Sequence, residues 1–526
     1  MKKKVLVVLA VIFSLHAMSQ RLAVRWVEKY KAPDGLYQNL QFIKAVPSVE
    51  DGLISIYRKM NKSLYDNDYV LVKLNTKLDA AGDIKLDYPA NGSEGMIDIL
   101  KLKQTNYILE YKVNGNKMAE LYLTPINLKT LKKEISTKKI VDLVDNDLLT
   151  KDDGETLAYS LYLDVVYSPD STKILLNYYA KSEADNKMES LVLSNTGQVL
   201  YNAIHAWNMP AENRQMQKPY IDNDGKCYFI WRSYQKTFSK EVEKGEGEQI
   251  PSFTSHLMVV DKEAKTPYTF NTDGKYLNDM VIGYNKDKKP MVIGTYKDKY
   301  NGRINGVFTS PAIGTDTTIA NLVFTIYPDG LQKKIELDLE LKPGKPGLTN
   351  DYYVGSTIAG ANGVNYMVSE YFKQGNSENA AFYEKGDLVV TTFKSDGTVV
   401  FQGLPRRQSI AASLTSNEYL APYEFLTLLV DNKLVVLYGD VEENAMQEIK
   451  EKPIRFKQTD KSVVAGAVVN SEGKLLSRKL VFNHIDLEGY IYNYKLCSFR
   501  TNTYAIFATK PNNAKDGMML GLLNAK

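Results

Sequence analysis

The chain has 526 residues, 44% hydrophobic and 24% charged, with a formal net charge of +4 at pH 7. This composition excludes an intrinsically disordered chain, and so small a net charge predicts no nucleic-acid partner. The 36 Tyr residues, against 3 Trp, suit half-buried β-strands, because a Tyr ring is apolar and its hydroxyl can reach water.

Residues 1–19 are predicted to be a signal peptide. Lys2, Lys3 and Lys4 form a positive segment, residues 5–15 an apolar core, and Ala17-Met18-Ser19 a small-x-small cleavage site. No later apolar run reaches the roughly 18 residues that a membrane-spanning helix needs, so no transmembrane segment is predicted. We therefore expect export, with the mature chain in the periplasm, at the cell surface or outside the cell.

The stretch VVYSPDSTKILLNYY, residues 165–179, predicts a strand, a tight turn and a second strand. In Ser168-Pro169-Asp170-Ser171, Pro presets φ for the first central turn position, and Asp and Ser side chains bond nearby backbone groups. The same pattern recurs along the chain as a polar turn followed by a strongly apolar returning strand.

Eight copies of the turn and returning strand can be written, roughly 65 residues apart. They are SVEDGLISIYRK ending at Lys59, KQTNYILEYK at Lys112, SPDSTKILLNYYAK at Lys181, DNDGKCYFIWR at Arg232, NKDKKPMVIGTYK at Lys297, GANGVNYMVSEYFK at Lys373, VDNKLVVLYGD at Asp440 and RTNTYAIFATK at Lys510.

A second predicted hairpin lies between successive copies. These hairpins start at Tyr69, Glu120, Glu189, His256, Leu322, Leu388 and Val463, and an eighth, from Met518, is cut short. Two hairpins per repeat make a four-stranded unit, and such units at a regular period are typical of a β-propeller.

The two ends of the mature chain are predicted to pair. The eighth unit lacks its outermost strand, and an unpaired strand candidate, residues 22–30, precedes the first unit. Pairing them would close a ring and remove an exposed edge. We predict an all-β fold in one domain, residues 20–526, forming a propeller with eight blades. Seven blades, or two smaller β domains, are the alternatives.

The repeat SPDSTKILLNYY resembles the repeats of WD-repeat and related bacterial propellers. The terminal Trp-Asp dipeptide of WD repeats is absent, as is the Ser-x-Asp-x-Gly box of sialidase-type propellers. The resemblance therefore implies a fold and carries no active-site residues.

Two stretches depart from the repeat. Residues 129–155 carry Leu and Val near helical spacing and are predicted to form a connection with a short helix. Residues 341–347, LKPGKPG, are predicted to be a linker.

The two cysteines are predicted to be free thiols. Cys227 falls in the fourth unit and Cys497 in the eighth, on opposite sides of an eight-bladed ring. A disulfide needs Cα atoms within about 7 Å. Cys227 is expected to be buried among Tyr228, Phe229 and Ile230.

Cations end seven of the eight returning strands, which would place them on one rim of a propeller. They are Lys59, Lys112, Lys181, Arg232, Lys297, Lys373 and Lys510. A rim of this kind would attract an anionic partner, although Lys is also the common residue wherever a strand end meets water.

Long insertions follow the returning strands of units four, five and seven, where binding residues often lie. Length variation alone would also explain these insertions. The predicted contact residues in and near them are Trp207, Arg232, Tyr234, Tyr300 and Arg303.

No catalytic or metal motif emerges. His205, His256 and His484 fall in different units without ligand spacing, and no Gly-x-Ser-x-Gly is present. Residues 222–225, Asp-Asn-Asp-Gly, lack the further carboxylates of a calcium loop and are predicted to be a hairpin turn. No metal and no cofactor are predicted.

Two functions remain open. The first is a non-catalytic exported scaffold that binds a protein or glycan, which can be anionic, at the envelope or outside the cell. The second is a hydrolase or lyase acting on a polysaccharide in a central channel. An enzyme should bring three or more ionisable groups together in the channel, whereas a scaffold should spread aromatic and cationic residues over a rim. The oligomeric state is left open.

Overall fold

The fold is almost entirely β, as predicted. The computed structural model describes residues 22–26, 40–59, 68–89, 93–113, 119–143, 162–179, 187–206, 214–234, 253–271, 274–297, 304–313, 321–323, 325–327, 352–360, 363–377, 380–406, 408–411, 425–446, 456–457, 462–483, 493–500, 503–509 and 518–525. Within these ranges there are 37 strands and one short helix, α1 (Glu442–Met446). The chain divides into two compact units: a central unit, residues 33–334 and 340–352, and a terminal unit, residues 1–32, 335–339 and 353–526.

The central unit contains five sheets. The first has β2 (Leu40–Pro47), β3 (Leu53–Lys59), β4 (Tyr69–Leu74) and β5 (Ala80–Leu86); the second has β6 (Glu94–Lys101), β7 (Asn106–Val113), β8 (Ala119–Asn127), β9 (Lys132–Lys133) and β10 (Lys138–Asp142); the third has β11 (Tyr162–Tyr167), β12 (Lys173–Tyr179), β13 (Lys187–Ser194) and β14 (Val199–Ala206).

The segment after residue 320 contributes one short strand to each of the remaining two sheets of the central unit. The fourth has β15 (Arg214–Met216), β16 (Tyr220–Ile221), β17 (Cys227–Ser233), β18 (Thr254–Asp261), β19 (Ala264–Asn271) and β23 (Asn321–Val323); the fifth has β20 (Tyr276–Tyr284), β21 (Pro290–Lys297), β22 (Ile304–Thr309) and β24 (Thr325–Tyr327).

The terminal unit contains three sheets. The sixth has β25 (Tyr352–Ala359), β26 (Asn365–Ser377), β27 (Ala380–Phe393), β28 (Val399–Leu404), β29 (Gln408–Ala411) and β32 (Phe456–Lys457); the seventh has β30 (Phe425–Val430), β31 (Lys433–Val441), β33 (Ser462–Val469) and β34 (Leu475–Asn483); the eighth has β35 (Asn493–Arg500), β36 (Thr503–Thr509), β37 (Met518–Ala525) and β1 (Leu22–Trp26).

The eight predicted returning strands are confirmed, and each is the second strand of a different sheet. They are β3, β7, β12, β17, β21, β26, β31 and β36. Their apolar runs are nearly continuous because consecutive sheets within a unit pack face to face, which buries both faces of a strand that lies between two such sheets. In β12, Leu175 lies in the core shared with the fourth sheet, and the adjacent Leu176 lies in the core shared with the second. In β31, Val435 likewise lies in the core shared with the eighth sheet, and the adjacent Val436 lies in the core shared with the sixth.

The turn chemistry predicted at residues 168–171 is also confirmed. The Ser168 amide donates to the carbonyl of Lys173 at 3.0 Å, and the Ser171 amide donates to the carbonyl of Ser168 at 2.8 Å. Asp170 Oδ1 accepts the Thr172 amide at 2.9 Å. The Asp222 turn is built similarly, since Asp222 Oδ1 accepts the amides of Asp224 and Lys226, both at 2.9 Å.

The N-terminal strand pairs with the C-terminal one. β1 runs antiparallel to β37, with Leu22 opposite Ala525 and Trp26 opposite Gly521. The eighth sheet is thus assembled from both ends of the described chain.

Two predicted stretches are only partly covered by the described residues. In residues 129–143 there is no helix: after a turn, β9 and β10 both pair with β8, while residues 144–155 of the predicted connection lie outside the described residues. The strand predicted to open a hairpin at Leu322 is divided between two sheets, since β23 joins β19 in parallel and β24 joins β22 of the next sheet, and residues 328–337 lie outside the described residues. Residues 341–347 lie outside the described residues.

Part of the insertion after β31 forms regular secondary structure and connects two sheets. It begins with α1, and β32 then pairs in parallel with β29 of the preceding sheet. Since β23 does the same for the fourth sheet, these segments tie neighbouring sheets together.

Candidate functional site

Six of the eleven predicted contact and rim residues lie within the described part of the chain. Trp207, Tyr300, Arg303, Lys181 and Lys510 are outside it. Lys59 and Lys373 lie in β3 and β26, but their side chains are outside the described set. The described side chains are those of Arg232, Tyr234, Lys112 and Lys297.

Arg232 and Tyr234 come together with three further side chains, Phe253, Tyr276 and Gln215, in what we call the arginine–aromatic cluster. The Arg232 guanidinium lies over the Phe253 ring, 4.6 Å from its centroid. Phe253 is also 5.8 Å from the ring of Tyr234 and 5.8 Å from that of Tyr276. The Tyr234 hydroxyl donates to Gln215 Oε1 at 2.9 Å. One arginine and three rings therefore share a small region at the end of β17.

The backbone explains why these residues meet. Arg232 is the next-to-last residue of β17, Phe253 immediately precedes the antiparallel β18, and Tyr276 begins β20 in the fifth sheet. Arg232 Nη2 donates to the carbonyl of Leu277 at 3.1 Å, which holds the edges of the fourth and fifth sheets together. Arg232 Nε is buried and has no hydrogen-bond partner among the described residues.

Two lysines add positive charge at the same edge. Lys297 ends β21 directly opposite Tyr276, and Lys275 Nζ lies 5.8 Å from the centroid of the Tyr296 ring. A cation over an aromatic face gains about 0.5–1 kcal/mol when exposed and about 2 kcal/mol when desolvated. The edge is thus cationic and aromatic together.

Lys112, the remaining described rim cation, is paired with an acid. Its Nζ is 3.3 Å from Glu94 Oε2 and 5.6 Å from the Tyr122 ring centroid. Its charge is largely neutralised, so Lys112 contributes little to a cationic rim.

A serine and a histidine are hydrogen-bonded on the other face of β17. Ser233 Oγ is 2.7 Å from His256 Nε2, and the His256 ring stacks on Trp231 with centroids 4.9 Å apart. Burial lowers the pKa of His256. Among the described residues, the polar partner of its ring is Ser233 and not a carboxylate. Without an acid to orient the imidazole, the described residues do not assemble a catalytic triad.

The terminal unit contains converging ionisable groups, but they are buried. Arg406 Nη1 is 2.8 Å from Glu370 Oε1, both side chains being 0% exposed. Arg478 Nη2 is 2.8 Å from Asp440 Oδ2, at 6% and 0% exposure. Arg478 also donates to the carbonyl of Pro405 at 3.2 Å, so this buried ion network joins the sixth and seventh sheets. A substrate cannot reach groups buried to this degree.

A smaller polar cluster joins the first and second sheets. The Tyr88 hydroxyl donates to Glu110 Oε1 and the Thr124 hydroxyl to Glu110 Oε2, both at 2.5 Å, and Lys133 forms an ion pair with Glu110. Burial and the nearby Glu110 carboxylate raise the pKa of Tyr88 above its usual range, so the phenol remains a donor. The cluster is fully satisfied and structural.

These polar clusters were missed from sequence, although a signal exists. In four second strands a buried polar residue is followed by Tyr near the end of the apolar run. The pairs are Glu110-Tyr111, Asn177-Tyr178, Thr295-Tyr296 and Glu370-Tyr371. Aligning the repeats on the polar residue would have predicted a buried polar position in each of these sheets.

The cysteines lie in different units of the chain. Cys227 is fully buried in β17, and burial raises its pKa to about 12. Cys497 is half-buried in β35. The absence of a disulfide between them stays a prediction.

His205 gives a pH-dependent prediction. Burial lowers its pKa from 6.5 to about 4, with a smaller effect from Lys265. Between these pH values the unfolded chain binds a proton that the folded chain does not, so stability falls as pH falls. We expect a loss of up to about 3 kcal/mol across this window.

Urea unfolding of the wild type and of His205→Phe, measured between pH 7.5 and 4, tests the prediction. The difference in unfolding free energy between the two proteins should shift by this amount in favour of the variant at low pH. A difference that is constant with pH would contradict it.

Within the described residues, no three His, Cys, Asp or Glu side chains gather as a metal site. Among the same residues, no helix is long and apolar enough to cross a membrane.

Comparison with known proteins gives similarity of fold alone. No family model and no curated protein matches the chain. Prolyl oligopeptidase B from Galerina marginata is 11% identical, with a TM-score of 0.38 over 93% of this chain and 55% of its own. A eukaryotic initiation factor is 8% identical, with a TM-score of 0.36 over 96% of this chain and 97% of its own. An α-L-arabinanase from Penicillium chrysogenum is 9% identical, with a TM-score of 0.29 over 74% of this chain and 98% of its own.

The chain thus spans about half the length of the oligopeptidase. At these identities and scores, the likenesses carry no inference about activity or substrate.

Proposed function

We propose that the chain is an exported, non-catalytic β-propeller scaffold that binds an anionic protein or glycan through the arginine–aromatic cluster. The observation that carries the proposal is the Arg232 guanidinium held over Phe253 beside Tyr276, with Lys275 and Lys297 at the same edge. Aromatic faces pack against sugar rings or apolar side chains, and the guanidinium recognises carboxylate or sulfate groups.

The propeller part of the proposal rests on the sheets. Each predicted repeat contributes one antiparallel sheet, and the sheets within a unit pack face to face through apolar cores such as that between Ile230 and Val292. A ring of eight blades closed by the β1–β37 pair is the arrangement that this pattern favours.

The hydrolase or lyase alternative has less support. Of the ionisable groups that converge, Glu370, Arg406, Asp440 and Arg478 are buried and paired with one another. The Ser233–His256 pair has no described acid beside it. The described residues therefore favour binding over catalysis.

A binding experiment with matched variants tests the proposal. The chain from residue 20 onward would be screened against acidic and neutral glycans and used in a pull-down from envelope extract. Affinity for the partner found should fall about 10–100-fold in Arg232→Gln, which corresponds to about 1.5–3 kcal/mol for a charge-assisted contact. Added salt should weaken binding further.

Lys286→Gln is the control. Lys286 is an exposed cation in the turn between β20 and β21, at the end of the fifth sheet that is opposite to Tyr276. Equal loss in both variants would show non-specific attraction, and unchanged binding in Arg232→Gln would reject the cluster as the site. Release of reducing ends from a bound polysaccharide would favour the enzyme.

A further inference from the structure

The interior between the third and fourth sheets contains an imidazole with no hydrogen-bond partner among the described residues. His205, in β14, is 2% exposed, and within that part of the chain neither Nδ1 nor Nε2 has a partner. Buried polar groups are nearly always hydrogen-bonded, because leaving one unpaired costs about 1–3 kcal/mol. The two unpartnered nitrogens therefore need an explanation.

One thioether lies beside His205 on the same sheet. Met188 of β13 is directly opposite His205 in the antiparallel register, and it is fully buried. Residues paired in this way point to the same face, with Cβ atoms about 4.5–5.5 Å apart. The His205 ring is 5.8 Å from the ring of Phe229 in the fourth sheet, so both side chains point into the space between the sheets.

Two more thioethers enter this interior from the fourth sheet. Met258 is opposite Phe229 in the β17–β18 register, and Met216 is opposite Trp231 in the β15–β17 register. Both pack into the same apolar cluster as Met188 and Phe229. We call His205, Met188, Met216 and Met258 the methionine–histidine layer.

The chemistry of the layer selects for a soft ion. Thioether sulfur and neutral imidazole suit Cu(I), whereas Mg²⁺ and Ca²⁺ require oxygen ligands. An imidazole binds a metal ion in its neutral form, through a ring nitrogen that carries no proton.

A neighbouring charge also discriminates by valence. The positively charged Lys265 Nζ donates at 2.6 Å to the carbonyl of Ile204, the residue before His205. It opposes a divalent ion twice as strongly as a monovalent one.

We propose that His205 and Met188, together with Met216 or Met258, form a buried binding site for a monovalent soft metal ion, Cu(I) or its analogue Ag(I). The ion joins the third and fourth sheets and stabilises the folded chain by mass action. The site is separate from the arginine–aromatic cluster and does not depend on its role. Cys227 is outside the ligand set, because its thiol is 3.2 Å from the Tyr201 hydroxyl.

Metal titration of the full mature chain tests the site. Ag(I) in chloride-free buffer avoids redox chemistry, and Cu(I) would be supplied anaerobically with a chelator as competitor. Cys497→Ser serves as the background, to remove the half-buried thiol. We expect one tightly bound ion per chain, a rise in thermal midpoint and a change in Trp231 fluorescence.

Substitutions within the layer should weaken this binding more than tenfold. His205→Phe and Met188→Leu each remove one ligand and keep an apolar side chain of similar size. Met446→Leu is the matched control, since Met446 is exposed at the end of α1. Circular dichroism without metal shows whether each variant folds, and Met188→Leu retains the test if His205→Phe does not.

Three results would overturn the proposal. One is no Ag(I) or Cu(I) binding by the background protein, which would make the methionines core filler alone. The second is unchanged binding in both layer variants. The third is loss of binding in Cys227→Ala, which would assign the ion to the thiol.

Discussion

Arg406→Met should destabilise the chain by about 3–5 kcal/mol, because it removes one partner of a buried ion pair, the guanidinium that is 2.8 Å from the Glu370 carboxylate. Both side chains of the pair are 0% exposed, so water cannot replace the lost partner. The amide of Arg406 donates to Asp387 at 2.9 Å, and this backbone bond persists in the variant. Urea unfolding followed by circular dichroism measures the loss.

The double variant Glu370→Leu/Arg406→Met separates the cost of an unpaired charge from the value of the pair. Replacing a whole buried pair by apolar side chains is often neutral or stabilising. We therefore expect the double variant to be more stable than Arg406→Met. If it is less stable, the ion pair itself contributes to folding.

A surface pair in the same unit supplies the control. Lys394 Nζ is 2.7 Å from Glu472 Oε2, with the Glu472 side chain 56% exposed. Lys394→Met should change stability far less than Arg406→Met, because water solvates the carboxylate that remains. A loss as large as that in Arg406→Met would contradict the importance of burial.

An engineered disulfide between β1 and β37 should stabilise the chain by up to about 5 kcal/mol, because it closes a loop of nearly the whole polypeptide. Ala23 and Asn524 are directly opposite in the register. Their Cα separation in an antiparallel pair, about 4.5–5.5 Å, is within the range a disulfide spans. Ala23→Cys/Asn524→Cys, in the Cys497→Ser background, should oxidise to an intramolecular bond.

Mass spectrometry without reductant identifies the bond, and urea unfolding with and without reductant gives its contribution. Ala23→Cys/Asp396→Cys is the control, since Asp396 is an exposed turn residue of the sixth sheet, between β27 and β28, and should not cross-link. Disulfide-linked dimers in place of the internal bond would show that β1 pairs with another chain.

The sequence determined the strands, the turns between them and the pairing of the chain ends. These follow from residues adjacent in the chain: Ser168 and Asp170 bond their own turn, and strands buried on both faces read as unbroken apolar runs. The β1–β37 pair was predicted by counting, since the last repeat was one strand short and residues 22–30 supplied a strand.

Only the tertiary structure decided which side chains meet. Arg232 and Tyr276 lie in strands of two different sheets, Phe253 immediately precedes β18, and Glu370 meets Arg406 across 36 positions. Residues 138–142, in the stretch with helical spacing, form β10 and pair with β8. Turns and apolar periodicity depend on residues that are close in the chain. An ion pair, a ring contact or a strand added by an insertion depends instead on how separate sheets pack, and no single stretch of the chain encodes that packing.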